Sequence, residues 1–204
     1  MFDAKLRPWI DPPLNRLGQA AAARGIGADR VTVAGLILGL ACAVTLALSG
    51  PGWLALFLLA LGRLADGLDG AIARASRKTD YGGYLDIFCD FIFYAAVPLA
   101  LILRAPAENA VAGAFLIASF YVNAASFLGF AAIAGKRGME TTAQGQKSLY
   151  YAQGLLEGAE TIGFFAFLCL FPQLFAPAAW VFGGLCLITA IARVVLARGV
   201  FHHP

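Results

Sequence analysis

Apolar residues run along this chain in six blocks, roughly 31–49, 53–73, 82–103, 110–135, 149–171 and 176–197, separated by short polar or proline-containing connections. Each is about as long as the ~20 residues an α-helix needs to cross the hydrocarbon core of a bilayer. The pattern predicts an all-α, polytopic membrane protein: six transmembrane helices forming one domain over residues 31–204. Residues 1–30 read differently. Leu6, Ile10, Leu14 and Leu17 recur at helical spacing with Lys5, Arg7 and Arg16 between them, the pattern of an amphipathic helix lying in the membrane interface. Pro12-Pro13 is expected to break or kink it, and a loosely ordered arm is the alternative. The arm holds no apolar core of the length a cleavable signal requires, so the N-terminus is expected to be retained.

Composition agrees: 60% of the 204 residues are hydrophobic and 13% charged, and the mean hydropathy of +0.77 lies outside the range of soluble domains. Basic residues collect at Lys5, Arg7, Arg16, Arg24 and Arg30, at Arg77 and Lys78, at Lys136, Arg137 and Lys147, and at Arg198. The alternate connections carry only Arg104. By the positive-inside rule both termini are cytoplasmic, in what reads as a bacterial inner (plasma) membrane protein. The net charge of +3 then reflects topology and contact with membrane lipid rather than nucleic-acid binding. Cys42, Cys89, Cys169 and Cys186 stand singly in apolar blocks without metal-ligand spacing and read as small packing residues.

Against this background the stretch "LGRLADGLDGAIARASRKTDYGGYLDIFCD", residues 61–90, is anomalous. A charge at bilayer depth costs at least ~2.5–3.5 kcal/mol, so charged residues there normally face a polar cavity. Asp66 and Asp69 are three apart and Asp86 and Asp90 four apart, so each pair shares a helix face. The short connection between them predicts antiparallel neighbouring helices, with both pairs near the cytoplasmic end. Four carboxylates at one depth repel unless a cation lies among them. Hard oxygen donors suit Mg²⁺ or Mn²⁺, and two ions are the natural number for phosphoryl transfer. The competing reading is a packing role in which the aspartates pair with Arg63 or Arg74.

The string D-x-x-D-G-x-x-A-R followed by G-x-x-x-D-x-x-x-D, from Asp66 to Asp90, resembles the signature of the CDP-alcohol phosphotransferase (phosphatidyltransferase) family, although the connecting "ASRKTDY" is one residue short of the usual spacing. The resemblance implies transfer of a phosphoalcohol group, typically phosphatidyl from CDP-diacylglycerol, to a small hydroxyl acceptor with release of CMP. It implies metal binding by Asp66, Asp69, Asp86 and Asp90, with Asp90 also the catalytic base. Gly70, Ala73, Arg74 and Gly82 would then border the nucleotide. A homodimer is implied in the same way. A divalent-cation transporter and an inactive family member are the alternatives; the chain has no inverted repeat, and all four aspartates are present.

A second polar set, Lys147, Gln153, Glu157 and Glu160, follows one face of the fifth block. It reads either as an acceptor pocket or as a polar helix contact with Asn123 or Arg193. Arg193 itself reads as a partner for one of the glutamates or a snorkelling anchor. Thr32 reads as a cap of the first span or a nucleotide contact. Nothing in the sequence names the acceptor alcohol.

Overall fold

The structure is a computed structural model and describes residues 3–139, 156 and 158–201, with backbone alone for residues 3–10. Among the described residues seven α-helices follow one another: α1 (Asp3–Ala23), α2 (Ala28–Ala47), α3 (Gly52–Ala75), α4 (Asp80–Arg104), α5 (Pro106–Lys136), α6 (Gly158–Leu170) and α7 (Phe175–Phe201), the last preceded by a 3₁₀ turn at Pro172–Leu174. There is no strand among the described residues. Local chemistry sets several of the boundaries. Gly25 takes a φ of +76° after α1, where Ile26 N–H donates to the Ala21 carbonyl and Gly25 N–H to that of Ala22, a glycine-terminated helix end. The Thr79 hydroxyl accepts from Gly82 N–H at 3.0 Å and caps α4, and Pro106 opens α5.

Among the described residues four segments are long and apolar enough to cross a membrane: Ala28–Ala47, Asp80–Arg104, Pro106–Lys136 and Pro172–Phe201. A shorter apolar helix, Gly158–Leu170, accompanies them. α3 has comparable length, and Arg63, Asp66, Asp69 and Arg74 lower its hydropathy. Large apolar side chains such as Val111, Tyr121, Ile191 and Val195 point outward, as a lipid-facing surface requires.

Inside, α2 is the hub. Gly35 and Gly39 present backbone rather than side chain to their neighbours. A Cβ on Gly35 would sit 3.3 Å from the Gly62 carbonyl oxygen of α3, and one on Gly39 only 2.6 Å from the Phe93 ring of α4. The expectation that α3 and α4 pack side by side is corrected here: both pack on α2, and their backbones scarcely approach each other. α2 occupies the position between them, which keeps the two aspartate-bearing faces apart and leaves room for polar side chains. The apolar core, with Leu46, Leu59, Val97, Leu101, Leu116, Phe165 and Phe175, fills the half of the bundle remote from the connection at 76–79.

α5 and α7 pair through a buried arginine. Arg193 Nη1 donates to Asn123 Oδ1 at 3.0 Å, to the Asn123 carbonyl at 3.2 Å and to Ser126 Oγ at 2.6 Å, so Arg193 is tied into the bundle and does not snorkel. Arg137 donates to the Phe201 carbonyl at 2.8 Å and thereby holds the end of α7.

α1 runs without a break through Pro12-Pro13, contrary to the expected interruption. Docking onto α3 compensates for the hydrogen bonds that the prolines forgo. Leu14 is buried over Gly67, and Gly18 meets Ala71 so closely that a Cβ there would lie 2.7 Å from the Ala71 carbonyl carbon. Backbone cannot yield as a side chain can. Gly18→Ala should therefore lift α1 from α3 at a cost of about 1–3 kcal/mol, read as faster hydrogen exchange and protease cleavage within residues 11–23. Unchanged protection would show that this contact does not hold α1.

A carboxylate cluster as the candidate active site

The last turns of α3 and the first turns of α4 carry the aspartates to the same end of the bundle. One carboxylate oxygen from each of Asp66, Asp69 and Asp86 lies within 4.8 Å of the others. Asp69 is the most enclosed, 6% exposed. Its Oδ2 is shielded from solvent without a hydrogen-bond partner among the described residues. A buried carboxylate oxygen left unpaired is costly. Three hard oxygen donors this close together suit a small divalent cation such as Mg²⁺ or Mn²⁺.

Asp90 stands apart from this trio. Its Oδ1 accepts from Arg63 Nη1 at 3.0 Å, and the same Nη1 lies 3.5 Å from Asp66 Oδ2. The guanidinium sits over the Phe93 ring, 4.8 Å from its centroid, in cation–π contact. Of the two readings of the aspartates, pairing with arginine thus describes Asp90 and, more loosely, Asp66, while Asp69 and Asp86 have no such partner among the described residues.

The remaining motif residues lie toward α1. Arg74 is exposed and donates through Nη2 and Nε to Asn15 Oδ1, at 3.0 and 3.4 Å. Asn15, Gln19, Ala71, Arg74 and Ala75 line a cleft of roughly 230 Å³ between α1 and α3. A Cβ on Gly70 would meet Arg74 Nη1 at 3.3 Å, and one on Gly82 would meet Thr79 Oγ1 at 3.0 Å and Asp29 Oδ1 at 3.2 Å. Ala73 and Gly82 are half-buried beside them.

A family model for CDP-alcohol phosphatidyltransferases matches residues 26–198. The chain belongs to the CDP-alcohol phosphatidyltransferase family. It is 46% identical over 196 residues to the inner membrane protein YnjF of Escherichia coli, covering 95% of this chain and 94% of that one. It is 33% identical over 121 residues to an archaetidylinositol phosphate synthase of Pyrococcus horikoshii, covering 59% and 64%. The fold is shared with a crystal structure of Mycobacterium tuberculosis phosphatidylinositol phosphate synthase PgsA1 with CDP-DAG bound, at a TM-score of 0.62 and 21% identity, over 93% of this chain and 92% of that one.

Membership makes the chain an enzyme of phosphatidyl transfer from a CDP-alcohol, in phospholipid synthesis, within a family generally dependent on divalent metal. It is an integral inner-membrane protein, and the transporter reading is set aside. Within this phosphatidyltransferase the second polar set is only partly visible. Glu160 is half-buried in the first turn of α6, while Lys147, Gln153 and Glu157 lie outside the described residues. Reading the sequence missed Asn15 and Gln19, which come to the site through the docking of α1, and Asp29, which α2 brings beside Gly82. It offered Arg63 or Arg74 as a partner for the aspartates as a group, and the structure gives Arg63 to Asp90 at 3.0 Å and to Asp66 at 3.5 Å. Thr32 is no cap: Gly27 precedes the helix, and the Thr32 hydroxyl donates to the Ala28 carbonyl at 3.2 Å.

The Arg63–Asp90 pair is open to a double-mutant test. Arg63→Met leaves two partly buried carboxylates without their cation and should cost about 1–3 kcal/mol, less than for a fully enclosed pair because Asp66 and Asp90 retain solvent contact. Adding Asp90→Asn should restore a measurable part of the lost unfolding midpoint in detergent. Strictly additive losses would mean that the two side chains are not coupled.

Proposed function

We propose that this enzyme transfers the phosphatidyl group of CDP-diacylglycerol to a small hydroxyl acceptor, with Mg²⁺ or Mn²⁺ held by Asp66, Asp69 and Asp86, and with Asp90 as a further metal ligand and the base. The convergence of those three carboxylates, with Asp69 Oδ2 buried and lacking a hydrogen-bond partner among the described residues, carries the reading. The acceptor oxygen forms a bond to the phosphatidyl phosphorus, the bond from that phosphorus to the bridging pyrophosphate oxygen breaks, and CMP leaves with the electron pair. Asp90 receives the acceptor's proton, and Arg63 orients its carboxylate. Divalent cations supply charge neutralisation on the phosphoryl oxygens and hold attacking and leaving oxygens in line; two ions suit four carboxylates.

Gly70, Ala73, Arg74 and Gly82 border the nucleotide. Arg74 offers a planar, permanently charged donor for a pyrophosphate, and the small residues around it leave room. Lys147, Gln153, Glu157 and Glu160 form the acceptor pocket. The membrane arrangement has six spans, with α3 and α6, together with the apolar residues preceding α6, added to the four evident ones. The arm of residues 1–30 lies at the interface, residues 31–204 form the catalytic domain, both termini and the site are cytoplasmic, and the protein works as a homodimer. Basic residues at Arg24, Arg30, Arg77, Lys78 and Lys136 support that orientation.

Purified enzyme given CDP-diacylglycerol and a panel of alcohols, among them glycerol phosphate, inositol, inositol phosphate and serine, should release CMP with one of them and only when Mg²⁺ or Mn²⁺ is present. Full activity in excess chelator would overturn the metal assignment. Asp90→Asn should cut turnover by ~10²–10⁴, the range for a positioned general base, while the KM for CDP-diacylglycerol stays close to that of the parent. Normal turnover in that variant would place the proton transfer on another group.

A further inference from the structure

We infer that Arg63 is a resident cation with which a second divalent ion must compete, so that the site binds its two ions with unequal affinity. The inference rests on the proposed metal site. Its starting point is that one atom, Arg63 Nη1, already contacts Asp90 Oδ1 at 3.0 Å and Asp66 Oδ2 at 3.5 Å. An ion bridging Asp66 and Asp90 through these oxygens would need them at ~2.0–2.1 Å, the coordination distance of Mg²⁺, and through the other carboxylate oxygens would still stand close to a guanidinium that never loses its charge. Either way the ion competes with Arg63 for the two carboxylates.

Withdrawal of Arg63 is resisted. The Phe93 ring lies 4.8 Å below the guanidinium carbon, and Gly39 presses on the ring from the other helix, a Cβ there falling 2.6 Å from it. Arg63 Nε is buried and has no hydrogen-bond partner among the described residues, so the side chain is held by the ion pair and the ring rather than by a wider network. Among the described residues Asp69 and Asp86 make no ion pair with an arginine, and Asp69 Oδ2 has no hydrogen-bond partner. The trio Asp66, Asp69 and Asp86 therefore offers a first position that Arg63 reaches only through Asp66, at 3.5 Å, and Asp90 offers a more closely contested second one. Arg63 is a positioning residue in this scheme, acting on metal affinity through Asp66 and Asp90.

The test is Mn²⁺ binding to the full chain in detergent, counted by electron paramagnetic resonance of the free ion, without any turnover. Wild-type protein should bind one ion tightly and a second ~10–100-fold more weakly, the span over which neighbours of metal ligands tune affinity. Arg63→Gln should tighten the second ion by that factor and the first by much less, so that the gap narrows, whereas Arg63→Lys should preserve most of the gap. Phe93→Leu, which keeps the arginine and removes the ring that fixes it, should narrow the gap in part and supplies the answer should Arg63→Gln fail to fold. Two equal ions in the wild type, or an unchanged gap in both Arg63→Gln and Phe93→Leu, would overturn the inference. Absence of any bound Mn²⁺ in the wild type would overturn the metal site itself, a result distinct from two equal ions.

Discussion

Ionised groups at membrane depth must be given partners within the protein, because lipid supplies none. That requirement organises this bundle. Asp66, Asp69, Asp86 and Asp90 and the arginine among them lie between helices that turn apolar side chains outward, and α2 is the surface on which they are assembled. Gly35 and Gly39 let α3 and α4 come close to α2 while remaining separate from each other. The gap between them holds the carboxylates. With bulky residues at those two positions the helices would stand off, and the oxygens of α3 and α4 would no longer converge.

The molecule divides its tasks along the length of the bundle. Away from the connection at 76–79, the interior is an apolar core in which Phe93, Phe165 and Phe175 are almost fully enclosed. Toward that connection the interior becomes polar, with Thr32, Arg63 and the aspartates. Phe93 lies at the boundary: one ring serves the core through Phe165, at 5.5 Å between centroids, and the site through Arg63. Rigid packing beneath a charged site limits reorganisation as charge moves during phosphoryl transfer.

α1 extends the site beyond the apolar bundle. Its seat on α3, Gly18 against Ala71, places Asn15 and Gln19 beside Arg74. Arg74 is thus braced from a segment that no membrane requires and that the family motif does not include. Arg137 and Arg193 illustrate a second use of basic residues. Both are bound to the bundle, Arg193 between α5 and α7 and Arg137 at the end of α7.

Apolar runs long enough to cross a bilayer, and the spacing of four aspartates on two of them, were legible in the sequence because hydrophobic length and helical period are local properties. They determined the all-helical membrane class, the family resemblance and the carboxylates of the candidate site. Which carboxylates meet was decided by tertiary structure. Asp66 and Asp69 lie nearly twenty residues from Asp86, and only the way α3 and α4 lean on α2 brings those three together while turning Asp90 to Arg63. The prolines of α1 show the same division. Backbone chemistry alone favours a break at Pro12-Pro13; burial of Leu14 and the close contact of Gly18 on α3 are long-range contacts, invisible to local pattern, and they hold the helix whole.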